Sequence, residues 1–155
     1  MNDKYVLTEE FIEVDDKKLY RIKAIKDFGG VSSGQLGGFV EKEENLSAYD
    51  DAWVFDNASV YDDARVYGNA RVFAGEIKNR QQIIVFQNIG SRCDNLTMIY
   101  SKQSIYCKVG CFADTIDKFE QAVKITHQDT DYAEEYALCI KIAKIRFARL
   151  EEKEN

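Results

Sequence analysis

The sequence predicts a mainly β fold with a C-terminal α+β module. A strand pair and glycine-rich loop occupy residues 1–39, a short β-helix 40–78, and a three-strand, two-helix module 79–155. Three observations carry this reading. A six-residue period runs through the centre of the chain, strand-type alternation precedes it, and helix-type apolar spacing follows it.

The first stretch, Tyr5 to Ile25, reads as two strands around the turn Asp15-Asp16-Lys17. Tyr20, Ile22 and Ala24 alternate with Arg21, Lys23 and Ile25, as in a half-buried strand. The segment DFGGVSSGQLGGF (Asp27 to Phe39) holds five glycines and two serines, which is loop chemistry. It lacks the Lys-Ser/Thr and the following helix of a phosphate-binding loop.

The period then appears as DAWVFD, NASVYD, DARVYG and NARVFA, spanning Asp51 to Ala74. Val54, Val60, Val66 and Val72 share one register, and Ala52, Ala58, Ala64 and Ala70 share another. Val40, Leu46 and Ala48 extend it backward. Six residues do not match the 3.6-residue turn of an α-helix. Short strands separated by regular bends do fit, with valine and alanine inward and the residue between them outward. Asp50-Asp51, Asp56-Asn57, Asp62-Asp63 and Gly68-Asn69 supply the bends, because Asp, Asn and Gly tolerate left-handed backbone. After Gly75 the register is expected to be lost, since Glu76 and Lys78 fall where Ala and Val should be.

These repeats resemble the hexapeptide-repeat superfamily, and LGGFVEKEENLS (Leu36 to Ser47) is similar to uncharacterised bacterial and phage-encoded members. The resemblance implies a left-handed β-helix with three units per turn. Trp53 would then lie against Arg71, and Phe55 against Phe73, about 4.8 Å apart on the outside of the coil. It also implies a homotrimer, and it raises a counter-defence role in which a host protein is blocked or a small signalling ligand sequestered.

Beyond the repeats, Gln82 to Gln87, Leu96 to Tyr100 and Ile105 to Val109 read as strands. Asp114 is expected to open a helix with Ile116, Phe119 and Val123 on its apolar stripe. A second helix spans about Asp131 to Glu151. Tyr132, Tyr136, Cys139, Ala143, Phe147 and Leu150 make one stripe, and Leu138, Ile142 and Ile145 make another. Two apolar faces call for two partners.

The net charge of −6 and pI near 4.9 disfavour sequence-independent binding to nucleic-acid phosphates. No apolar run is long enough to span a bilayer, and the polar start MNDKYVLTEE does not read as a secretory signal, so the expectation is cytoplasmic. Cys93, Cys107, Cys111 and Cys139 are accordingly expected as thiols.

Hexapeptide-repeat acyltransferases use a histidine base at a subunit interface. This chain has one histidine, His127, in the segment THQDT between the two helices. Cys107, Cys111 and His127 do not complete the second ligand pair of a structural zinc site, and Cys111 with His127 lacks a third orienting group. No catalytic residue, metal or cofactor is therefore expected. The expected class is a non-catalytic binding protein, with an acyltransferase-like enzyme and a structural assembly factor as the alternatives.

Candidate contact residues are aromatics and arginines. Trp53, Arg65, Tyr67, Arg71 and Phe73 would face outward from the coil, with Arg92 in the turn IGSRCDN as a second arginine site. Together they would bind a host protein or a small anion, the guanidinium forking a phosphate or carboxylate while an aromatic stacks on a ring. Phe55, Tyr61, Tyr136, Ile142 and Phe147 are expected at the subunit interface. Arg65 and Arg71 could instead pair with corner aspartates such as Asp63.

Overall fold

A computed structural model describes residues 2–154. The chain divides into two compact units, Met1–Arg80 and Gln81–Asn155.

In the first unit, β1 (Tyr5–Val14) and β2 (Lys17–Ala24) form an antiparallel pair. They turn on Asp15 and Asp16, both at positive φ. Ile22 and Ala24 of β2 are buried, as the alternation requires, whereas Tyr20 of the same parity is only half-buried and Leu19, of the opposite parity, is buried with Phe39 and Tyr61. Strand β3 (Leu36–Val40) pairs antiparallel with β2 and parallel with β5 (Ser59–Val60), which pairs parallel with β7 (Glu76–Ile77). The result is an open sheet in the order β1-β2-β3-β5-β7. Strands β4 (Trp53–Val54) and β6 (Arg71–Val72) form a separate parallel pair, with Trp53 opposite Arg71.

The six-residue period is written in the backbone as well as in the sequence. Asp50, Asp56, Asp62 and Gly68 lie at φ of 57°, 54°, 53° and 61°. Those left-handed bends turn the valine and alanine registers of the four units inward, and all eight of these residues are buried.

These segments do not build the short left-handed β-helix expected over residues 40–78. Their strands are shared between the open five-stranded sheet and the two-stranded pair, and none of the three sheets among the described residues closes on itself. The architecture is mixed α/β. One physical reason lies in Gly37 and Gly38, expected as loop residues but found inside β3. They let β3 join an antiparallel hairpin to parallel neighbours, which leaves a sheet with free edges. The repeat register does slip after Gly75, as Glu76 and Lys78 led one to expect, but β7 still pairs. Pairing continues past Gly75, with Ser59 opposite Glu76 and Val60 opposite a buried Ile77. Gly75, at φ 89°, absorbs the shortened spacing.

The two β3 glycines are there for space. A Cβ on Gly37 would lie 2.6 Å from Ile22 Cγ1 and 2.7 Å from Trp53 Cζ2, and one on Gly38 would lie 2.6 Å from Val54 Cγ1. Gly37→Ala and Gly38→Ala should each cost about 2 kcal/mol or more, because packed neighbours cannot move apart freely. Urea unfolding of the two variants checks this, and an unchanged midpoint in both would contradict it.

The second unit is an antiparallel sheet covered by two helices. Strands β8 (Ile83–Ile89), β9 (Asp94–Ser101), β10 (Ser104–Val109) and β11 (Phe112–Thr115) lie in the order β11-β10-β9-β8. Asp114, expected to open the first helix, sits instead in β11 opposite Cys107. Thr115 takes the N-cap position of α1 (Ile116–His127). Helix α2 (Asp131–Glu154) lays Tyr136, Cys139, Ile140, Ala143, Phe147 and Leu150 onto a core with Leu96, Met98, Tyr100 and Cys107. Phe147 stacks on Tyr100 with ring centroids 5.7 Å apart. Lys144 reaches Glu120 at 2.8 Å, tying α2 to α1. Among the described residues no helix is long and apolar enough to cross a membrane.

Buried acids and one buried base set the pH response. Burial pushes the Cys107 thiol up to about 12 and the Cys139 thiol up to about 11, both from 9.0. Unfolded thiols ionise first, so their contribution is complete below pH 9.0 and is lost as pH rises toward the folded values. Lys4 behaves oppositely, because burial pushes it from 10.5 down to about 8. The cost of its buried charge is relieved as pH climbs through that window. One proton working against two gives a shallow gain above about pH 8 and a net loss beyond pH 9.0, which steepens above pH 10.0 where the Tyr5 and Tyr61 phenols, both raised by burial, add to it. Denaturant midpoints across pH 7 to 11 should trace that shape, and a monotonic rise would contradict it.

Candidate functional site

The site is built by three polar residues that pin one loop. The Lys4 ammonium donates to the carbonyls of Ser47 (3.0 Å), Tyr49 (3.2 Å) and Ala52 (2.6 Å). It also lies 4.7 Å from the Phe28 ring centroid. The hydroxyl of buried Tyr5 donates to the Leu46 carbonyl (2.7 Å) and the Glu43 carbonyl (3.1 Å). Buried Asn45 donates from Nδ2 to the Ala64 carbonyl at 2.9 Å.

Those anchors hold residues 45–49 beside residues 64–67. The Val66 amide donates to the Asn45 carbonyl (2.9 Å), and the Ser47 amide to the Val66 carbonyl (2.8 Å). Residues of both segments line a cleft of about 630 Å³, with Tyr5, Leu46 and Val66 among them. Tyr49 and Tyr67 stand in it 73% and 66% exposed. Arg65 and Arg80 line the same cleft, as do Glu43 and Glu44. Neither arginine side chain has a hydrogen bond or ion pair among the described residues. The Ser47 hydroxyl is engaged, accepting the Tyr49 amide at 3.1 Å.

This set of groups is suited to binding. A guanidinium offers a planar fork to phosphate or carboxylate, and a phenol ring offers a face to a planar group. Two arginines and two glutamates leave the cleft formally neutral. It therefore suits a ligand that carries one anionic group together with hydrogen-bond donors, rather than a polyanion.

The residues expected from sequence divide among three places. Arg65 and Tyr67 come together in the cleft. Arg92 lies in a separate cavity of about 250 Å³ in the second unit, with Asp94, Cys111, Phe119, His127 and Tyr136. His127, expected between the two helices, is the last residue of α1, half-buried, its ring 5.5 Å from that of Tyr136. Arg71 donates from Nη2 to the Gly29 carbonyl, and its guanidinium lies 5.6 Å from the Phe55 ring. Phe55 and Phe73 are half-buried.

Four of the expected surface residues are interior. Trp53 is fully buried, edge-on to Phe28 (5.3 Å) and Tyr5 (6.2 Å). Tyr61 is buried with Leu19 and Phe39, its hydroxyl donating to Asp15 at 3.0 Å. The first hairpin and its following loop supply these partners, so positions outward from the repeats are covered by the chain itself. Tyr136 and Phe147 belong to the core of the second unit. Of the residues expected at an interface, Ile142 alone is exposed.

Tyr49, Arg80, Lys4 and Tyr5 were not singled out by sequence. Tyr49 had a signal: NLSAYD, ending at Asp50, has the pattern of NASVYD, which places Tyr49 in the register of Tyr61 and Tyr67. Arg80 follows the end of the period and carried none.

No protein-family model matches the chain, and no curated protein matches its sequence.

Proposed function

We propose that the protein is a non-catalytic binding protein that holds a small ligand in the Tyr49–Tyr67 cleft, the ligand being a planar ring with one phosphate or carboxylate. The observation that carries this reading is the pair of arginines, Arg65 and Arg80, beside two largely exposed tyrosines. In a chain of net charge −6, a guanidinium left without a carboxylate partner is available to an incoming anion. The cleft offers ring faces and fixed charge, and its one hydroxyl of aliphatic type, on Ser47, is held by the neighbouring backbone. Groups of this kind recognise and retain.

Native mass spectrometry of the purified protein incubated with adenosine monophosphate tests the proposal. A one-to-one adduct is expected, weakened at least tenfold in Arg65→Ala by loss of a charge-assisted contact of about 1.5–3 kcal/mol. Tyr67→Ala should lose about 1–3 kcal/mol of stacking. An adduct that persists in both variants would place the ligand elsewhere.

A further inference from the structure

Helix α2 presents a second apolar face that its own unit does not cover. Leu138, Ile142 and Ile145 are 57%, 49% and 54% exposed, and their spacing puts them on one line. The charges beside them are sorted along the helix. From Asp131 to Glu135 the ionised residues are acids (Asp131, Glu134, Glu135), from Lys141 to Arg149 they are bases (Lys141, Lys144, Arg146, Arg149, with Lys144 held by Glu120 of α1), and acids return only in the last turns at Glu151 and Glu152.

We infer that this face pairs with α2 of a second copy of the chain, antiparallel, about a two-fold axis between Leu138 and Ile142. Apolar spacing alone would fit many partners, and the charge order selects among them. A parallel pair sets acid on acid and base on base. An antiparallel pair centred there sets Leu138 against Ile142 of the other copy, and Asp131 against Arg149. The Asp131–Glu135 acids then run along Arg146 and Arg149. Leu138 and Ile142 form the centre of such a pair, Ile145 lies against the aliphatic stem of Glu135 of the other copy, and Asp131 with Arg149 closes each end of the seam. The two-fold operator makes one patch complementary to itself.

Sedimentation of the full chain at tens of micromolar decides this. A species of twice the 17.8 kDa chain mass is expected. Ile142→Asp, with helicity unchanged by circular dichroism, should sediment as the single chain. Arg149→Glu should weaken association about tenfold or more, and Arg149→Glu combined with Asp131→Arg should restore it, since the swap recreates both ion pairs only in the antiparallel arrangement. A wild-type monomer, a trimer, a dimer indifferent to Ile142→Asp, or no recovery in the charge swap would each overturn the inference.

Discussion

Lys4→Met is expected to unfold the first unit far more readily than wild type, at a cost on the order of 3 kcal/mol or more. Three carbonyls, those of Ser47, Tyr49 and Ala52, accept hydrogen bonds from this one ammonium, and the Tyr49 carbonyl also accepts the Ser47 hydroxyl at 3.2 Å. Methionine fills the space but donates nothing, so the loop must open to water or keep unsatisfied acceptors. Either outcome moves Tyr49, whose carbonyl is one of the three, and so reaches the cleft. Ligand binding should therefore fall together with stability. The gain in stability above about pH 8 should vanish in this variant, because Lys4 is the group that relieves its charge there. Chemical unfolding at pH 7 and pH 9 checks both points. A Lys4→Met protein as stable as wild type would show that the ammonium is not an anchor.

Trp53→Ala is expected to cost about 3–5 kcal/mol, the range for a large aromatic removed from a packed core. The indole is fully buried between Tyr5 and Phe28, so its removal leaves a cavity beneath both. Trp53→Phe should cost less, because the indole Nε1 donor is buried without an acceptor among the described residues and phenylalanine removes that group. Thermal unfolding of the two variants ranks them. Had Trp53 faced outward as the repeat pattern suggested, Trp53→Ala would alter association and leave stability nearly unchanged.

That contrast shows what a sequence period can and cannot say. Asp50, Asp56, Asp62 and Gly68 were legible as left-handed bends, because few residue types tolerate that backbone and they recur at a fixed interval. The inward valines and alanines follow from the bends. The β1–β2 hairpin and the α2 stripe from Tyr136 to Leu150 were legible for the same local reason, whereas Tyr132, expected on that stripe, is exposed. What covers the outward positions was not, since it depends on distant segments. Tyr61 is met by Leu19 and Asp15, and Trp53 by Tyr5 and Phe28, none of which lies in the repeats. Sheet membership is equally non-local. Gly37 and Gly38 look like loop residues until Trp53 and Val54 are seen against them, and that packing places them in a mixed, open sheet rather than a coil. At the site, Arg65 and Tyr67 were legible as outward neighbours on one repeat. Lys4 was not, because a lysine near the start of a strand reads as a surface charge until its three carbonyl partners are known.

The central claim is that the arginines of the Tyr49–Tyr67 cleft recognise the anionic group of a ring-bearing ligand. Calorimetric titration with adenosine monophosphate and with adenosine, on wild type and on Arg65→Ala, tests it most directly. The account predicts that the phosphate strengthens binding at least tenfold in wild type, and that this advantage largely disappears in Arg65→Ala while adenosine binds both proteins alike. Equal binding of the two probes to wild type, or an undiminished phosphate advantage in the variant, would contradict it.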